Sequence, residues 1–149
     1  MKKLVLIRGC PGSGKSTLAE RLKREARKSG LSVFHVEADD FFTNHRGEYR
    51  YAPERLHRAH DWCKEKVASR IGFSDLVIVA NCFTHGDHLA PYVEMGIKAG
   101  VEVEVITCLG KFQNVHGVPE DVVDRLRATA DQVAVLKERF PEVRFAEDA

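Results

Sequence analysis

The chain has 149 residues, 44% of them hydrophobic, and a formal net charge of +1, which suits one domain over residues 1–149 with an ordinary core. That balance excludes a global field aimed at nucleic acid or membrane, but not a local basic patch. The four cysteines, Cys10, Cys63, Cys82 and Cys108, lie far apart without a C-x-x-C pair, which argues against a disulfide framework or a zinc site and for a reducing compartment, cytoplasmic or nuclear.

Leu4–Ile7 is a short apolar run. It is too short for a signal-peptide core, and no run approaches membrane-spanning length, so no membrane partner is expected. It reads instead as a buried parallel strand. Gly9-Cys10-Pro11-Gly12-Ser13-Gly14-Lys15-Ser16-Thr17 follows and fits G-x-x-x-x-G-K-[ST], the phosphate-binding loop, without a mismatch. Glycines let the backbone curl so that its N–H groups cradle anionic oxygens, and the next helix adds its positive end. Gly9, Pro11, Gly12, Ser13, Gly14, Lys15, Ser16 and Thr17 are thus the candidate nucleotide-binding residues. Lys15 would reach the β- and γ-phosphates, and the Ser16 hydroxyl would ligate Mg2+. The implied ligands are a nucleoside triphosphate, ATP or GTP, and Mg2+.

Leu18, Leu22 and Ala26 recur at helical spacing, so the first helix runs to about Ser29 and stops at Gly30. Leu31–Val36 reads as the second strand, ending in Glu37-Ala38-Asp39-Asp40. In open parallel sheets, ligands bind beyond the carboxyl ends of the strands, where the glycine loop also lies. A hydroxyl acceptor needs a group to take its proton, and Asp39 and Asp40 are the candidates. Adjacent strand residues face opposite ways, so one of the two should address the acceptor.

Phe41–Ala52 reads as a polar and aromatic loop. Tyr49 and Tyr51 are candidates for stacking on a base, and Arg46 and Arg50 for gripping phosphate. Asp40, Arg46, Tyr49 and Arg50 are the candidate acceptor-binding residues. Pro53 opens a helix with the stripe Leu56, Ala59, Cys63, Val67 and Ile71, and Trp62 reads as core. Asp75–Ala80 is the third strand, Gly86–Ala99 a further helix. Val101–Thr107 alternates Val and Glu, which predicts a less buried face, as at a sheet edge. Pro119-Glu120-Asp121 opens a last helix carrying Val122, Leu126, Ala130, Val133 and Phe140, and Phe145 adds a short final strand. The alternation of strand and helix predicts an α/β sandwich, a mainly parallel central sheet flanked by helices. His57 and His60 beside Asp61, and His85 and His88 around Asp87, lack further ligands at recognisable spacing, so surface or packing roles are expected.

The glycine loop followed by Asp39-Asp40 resembles the P-loop polynucleotide 5′-hydroxyl kinases. Asp39-Asp40-Phe41-Phe42, Gly47-Glu48-Tyr49, Pro53-Glu54, Ala59-His60-Asp61-Trp62 and Asn114-Val115-His116-Gly117-Val118-Pro119 resemble more closely the small kinase modules of Nedd-type ubiquitin-ligase-binding proteins. The resemblance spans most of the chain. It implies a P-loop kinase transferring the γ-phosphate of ATP to a 5′-hydroxyl of DNA or RNA, with Lys15 and Asp39 catalytic, Asp39 as general base, and single-stranded ends as partners. A nucleoside or small-alcohol kinase of the same fold, and a catalytically weak nucleotide-binding module, are the alternatives. The chain departs from the family in two places. Ala80 stands where the family carries an Asp, and Phe112-Gln113 where a lid arginine is expected. Slow turnover and loose ATP–GTP discrimination follow as expectations.

Overall fold

Leu4, Leu6 and Ile7 are fully buried and Val5 is nearly so, because this run forms the central strand of a sheet covered on both faces. In a computed structural model, residues 2–9, 12–83, 86–108 and 133–148 are described. The strands are β1 (Lys3–Arg8), β2 (Val33–Val36), β3 (Leu76–Asn81), β4 (Glu102–Cys108) and β5 (Arg144–Asp148). They form one sheet in the order β2-β3-β1-β4-β5, and all four neighbouring pairs are parallel.

Side chains alternate across β1 and sort the helices. Val5 and Ile7 join Ile78, Ile106 and Cys108 against Leu18, Ala19 and Ala26 of α1 (Lys15–Lys28). Leu4 and Leu6 face α2 (Leu56–Arg70), through Ala59, Cys63 and Val67, and α3 (Gly86–Lys98), through Leu89, Tyr92 and Val93. Residues 133–139 are helical, and Val133 and Leu136 join that second cluster. The predicted layering thus holds. α3 lies so close to the sheet that a Cβ built on Gly96 would collide with Val103 and come within 3.1 Å of Leu4 Cδ2.

Two expectations change. β4 lies inside the sheet, flanked by β1 and β5. Its alternating glutamate is explained by ion pairing: Glu104 is 8% exposed and sits 3.5 Å from Lys3 Nζ and 3.2 Å from Arg144 Nε. A covered strand accepts that carboxylate because two cations from its neighbours compensate it. The Asp39-Asp40 pair is not on a strand either. Ala38–Phe42 is a 3-10 turn after β2, so the two carboxylates diverge by turn geometry rather than by pleat. Trp62 is half-buried, less enclosed than the core position expected of it. Cys63, Cys82 and Cys108 are free thiols. No helix among the described residues is long and apolar enough to cross a membrane.

Candidate functional site

The glycine loop leaves the carboxyl end of β1. Gly12 and Gly14 adopt φ of +80° and +99°, a left-handed backbone that side chains disfavour. Gly14 is the N-cap of α1, no side chain caps that end, and the first turn carries no acid. The N–H groups and positive end of the dipole are therefore left for an external anion. Ser13 is buried, and its Oγ has no hydrogen-bond partner, an orphan that a phosphate oxygen would satisfy. A Cβ on Gly9 would collide with that Oγ and lie 3.0 Å from the Cys108 carbonyl. Lys15 Nζ donates to the Gly9 carbonyl at 3.0 Å and lies 4.0 Å from Cys82 Sγ. Ser16 and Thr17 stand exposed in the first turn of α1. Cys10 and Pro11 lie outside the described residues. The loop is thus shaped to hold phosphate, with the Ser16 hydroxyl available to a Mg2+ ion.

The 3-10 turn is fixed from the end of β3. Asn81 is buried, and its Oδ1 accepts the Ala38 N–H at 2.8 Å. Sequence reasoning gave Asn81 no role; its signal was a polar residue closing an otherwise apolar strand. Asn81 and Cys82 are consecutive, one holding the turn before Asp39, the other beside the Lys15 ammonium. Ala80 is 2% exposed among apolar side chains on the α1 face. Phe83, with φ +47°, is the only non-glycine residue of positive φ among those described. It is buried edge-on against Tyr92, packing that holds a strained backbone.

The two carboxylates serve different neighbours. Asp40 Oδ2 accepts the Glu37 N–H at 3.0 Å, and the Glu37 side chain accepts the Asp40 N–H, a capping box. Desolvation pushes the Asp40 carboxyl above its usual range, and the Glu37 charge adds to this against the backbone hydrogen bond. Asp39 is exposed and takes a long hydrogen bond from Tyr49 OH at 3.5 Å. Partial desolvation, with Asp39 beside it, raises the Tyr49 phenol. Asn44 Oδ1 accepts from the N–H groups of Arg46 and Glu48, Thr43 bridges Tyr49, and Arg50 N–H bonds the Phe42 carbonyl at 2.9 Å. The expected open loop is therefore a small hairpin tied to the 3-10 turn. It exposes Tyr49 and Tyr51 and pairs the Arg50 guanidinium with Glu48 at 2.9 Å. Arg46 is exposed.

The histidines pair differently from their sequence spacing. His60 of α2 stacks on His88 of α3, ring centroids 5.8 Å apart. Among the described residues no three His, Cys, Asp or Glu side chains are grouped to hold a metal; His85 lies outside them. Burial, then His88 and Lys64, hold the His60 pKa below its ordinary value, against Asp39 and Asp61. Protonation therefore costs the folded state more than the unfolded chain. The penalty is absent well above the ordinary value and grows as pH falls through it. Acidifying from about pH 7.5 to about pH 5.5 should lower Tm by less in His60→Gln than in the parent. An equal drop in both would show that His60 carries none of it. The lid region, with Lys111, Phe112-Gln113, Asn114–Pro119 and the start of the last helix, lies outside the described residues.

The sequence family described as an AAA domain (AAA_33) matches residues 4–111, from β1 past the end of β4. The chain belongs to that family. Within the AAA-domain family setting, it is similar to an uncharacterized protein of Pasteurella multocida (strain Pm70), 29% identical over 83% of this chain and 73% of the relative. It is also 32% identical to NEDD4-binding protein 2 of Homo sapiens over 83% of this chain, which is 7% of that protein's length. Among solved structures, the APS kinase CysC of Mycobacterium tuberculosis matches with TM-score 0.57 and 17% identity, over 89% of this chain and 97% of that one. A chain of the Pnkp1/Rnl/Hen1 RNA repair complex matches with TM-score 0.59 and 21% identity, over 93% and 46%. The AAA domain here has the P-loop kinase fold.

Proposed function

We propose that this AAA domain is a phosphotransferase moving the γ-phosphate of ATP or GTP to the 5′-hydroxyl of a DNA or RNA end. One observation carries the reading. Consecutive residues at the end of β3 contact both halves of the machinery, Asn81 the turn bearing Asp39 and Cys82 the Lys15 ammonium. A donor phosphate held by the glycine loop and an acceptor hydroxyl at Asp39 then meet at one strand end. Gly9, Pro11, Gly12, Ser13, Gly14 and Thr17 would cradle the phosphates, Lys15 would neutralise the transferring group, and Ser16 would ligate Mg2+, which supplies charge neutralisation when bound. Asp39 takes the acceptor proton as the new O–P bond forms and the nucleoside diphosphate leaves. Ala80 leaves one acid of the related kinases absent, which favours slow turnover.

The acceptor should be polymeric. Tyr49 and Tyr51 present ring faces beside Asp39, while Arg46 and Arg50 offer cations to an internucleotide phosphate. The exposed Arg50–Glu48 pair is worth under about 1 kcal/mol, so phosphate can displace the glutamate. A small-alcohol acceptor is the second reading, favoured by that pair because it partly neutralises the hairpin. Labelled γ-phosphate transfer to 5′-hydroxyl oligonucleotides and to free nucleosides decides between them. Oligonucleotides should be the better substrates, with an advantage that shrinks as salt rises. Arg46→Ala with Arg50→Ala should raise KM for the oligonucleotide and leave that for ATP unchanged. Equal use of nucleosides, with a parent-like double variant, would replace the nucleic-acid acceptor by a small one.

A further inference from the structure

We propose that the cleft between β2 and α2 is a second nucleic-acid contact, holding a backbone phosphate of the single-stranded acceptor downstream of its reacting end. It rests on the acceptor reading above. The cleft has a volume of about 270 Å³ and is lined by Phe34, His35, Asp40, Trp62, Lys66 and Arg70, among others. Trp62, Lys66 and Arg70 recur at four-residue spacing on one face of α2.

The two cations rest on rings rather than on acids. Lys66 Nζ lies 5.8 Å from the centroid of Trp62, and Arg70 Cζ lies 5.0 Å from that of Phe34. Among the described residues neither shares an ion pair with a carboxylate. Nearby Asp61 pairs with Lys64 instead. Asp40 brings a carboxylate to the lining, but its Oδ2 is occupied by the Glu37 N–H. His35 Nε2 is buried without a hydrogen-bond partner, 3.8 Å from Glu37 Oε1. Two ring-mounted cations over aromatic walls suit a phosphate flanked by bases.

Position selects a nucleic acid over an acidic peptide. Asp40 lines the cleft, and the preceding residue is the proposed base Asp39. A row of rings runs between them: Trp62 to Phe41 at 6.0 Å, Phe41 to Phe42 at 5.4 Å, Phe42 to Tyr49 at 6.3 Å. A strand whose end reacts at Asp39 can therefore continue along aromatic surface into the cleft.

Trp62 is the only tryptophan of the chain, so its fluorescence reports on this cleft. The full chain is titrated with a 5′-hydroxyl single strand of about ten nucleotides, a free nucleoside and poly-glutamate. The oligonucleotide should quench Trp62 in a salt-sensitive way, and the other two should not. The Lys66→Gln, Arg70→Gln double variant, altered only at exposed positions, should bind the oligonucleotide roughly tenfold more weakly. Its salt slope should fall by about 1.4, near 0.7 for each lost phosphate contact. Its KM for ATP and its rate on a nucleoside should stay at parent values. Parent-like oligonucleotide binding by the double variant, or equal quenching by poly-glutamate, would overturn the cleft. Quenching without phosphate transfer would keep the cleft and remove the kinase reading; transfer with a parent-like double variant would do the reverse.

Discussion

Replacing Lys15 with alanine should abolish phosphoryl transfer and weaken nucleotide binding. The ammonium sits at the mouth of the glycine loop, 3.0 Å from the Gly9 carbonyl and 4.0 Å from Cys82 Sγ. From there its flexible stem can swing onto β- and γ-oxygens. A charge aimed at the transferring group is worth about a thousand-fold or more in related phosphoryl transfers. The side chain is half-buried and its carbonyl contact is modest, so the fold should survive its loss. Calorimetric titration with a non-hydrolysable ATP analogue, beside a γ-phosphate transfer assay, separates binding from chemistry. A Lys15→Ala protein that turns over like the parent would remove the glycine loop from the active site.

Asp39→Asn should leave ATP affinity nearly intact and slow transfer by roughly 100- to 10,000-fold, the usual contribution of a general base. The amide keeps the shape of the side chain and a contact to Tyr49, but cannot accept the acceptor's proton. Asp40 is the internal control. Its carboxylate caps the Glu37 N–H, so Asp40→Ala should cost about 1 kcal/mol of stability, as lost caps do, and change the rate far less. Thermal melts and transfer rates measured on both variants should therefore dissociate. Equal rate losses, or a larger one at Asp40, would reverse the assignment.

The layers of this molecule were readable from its sequence. Leu4–Ile7 is apolar on both faces, α1 follows the glycine loop at helical spacing, and Gly30 and Gly100 close their helices where expected. Such features depend on neighbours in the chain. What sequence reading missed depends on distant partners. The Val–Glu alternation of β4 suggested an edge, and only Lys3 and Arg144 reveal a covered strand with a compensated acid. His60 was grouped with His57 by spacing, whereas the fold stacks it on His88. The divergence of Asp39 from Asp40 was anticipated for the wrong reason: a 3-10 turn and a capping box separate them. Asn81, forty-three residues from the N–H it accepts, could not be assigned by periodicity at all.

The strand order has a consequence for how the protein acquires its fold. β1 emerges first, but its two partners are β3 and β4, supplied by residues 76–81 and 102–108. Each pairing closes a long stretch of chain, and contacts so distant in sequence slow the search for the native state. The glycine loop, though near the beginning of the chain, is thus bounded by late-arriving neighbours. Its ability to hold a ligand should emerge together with global folding rather than before it, and a nucleotide present during refolding should stabilise only the finished sheet.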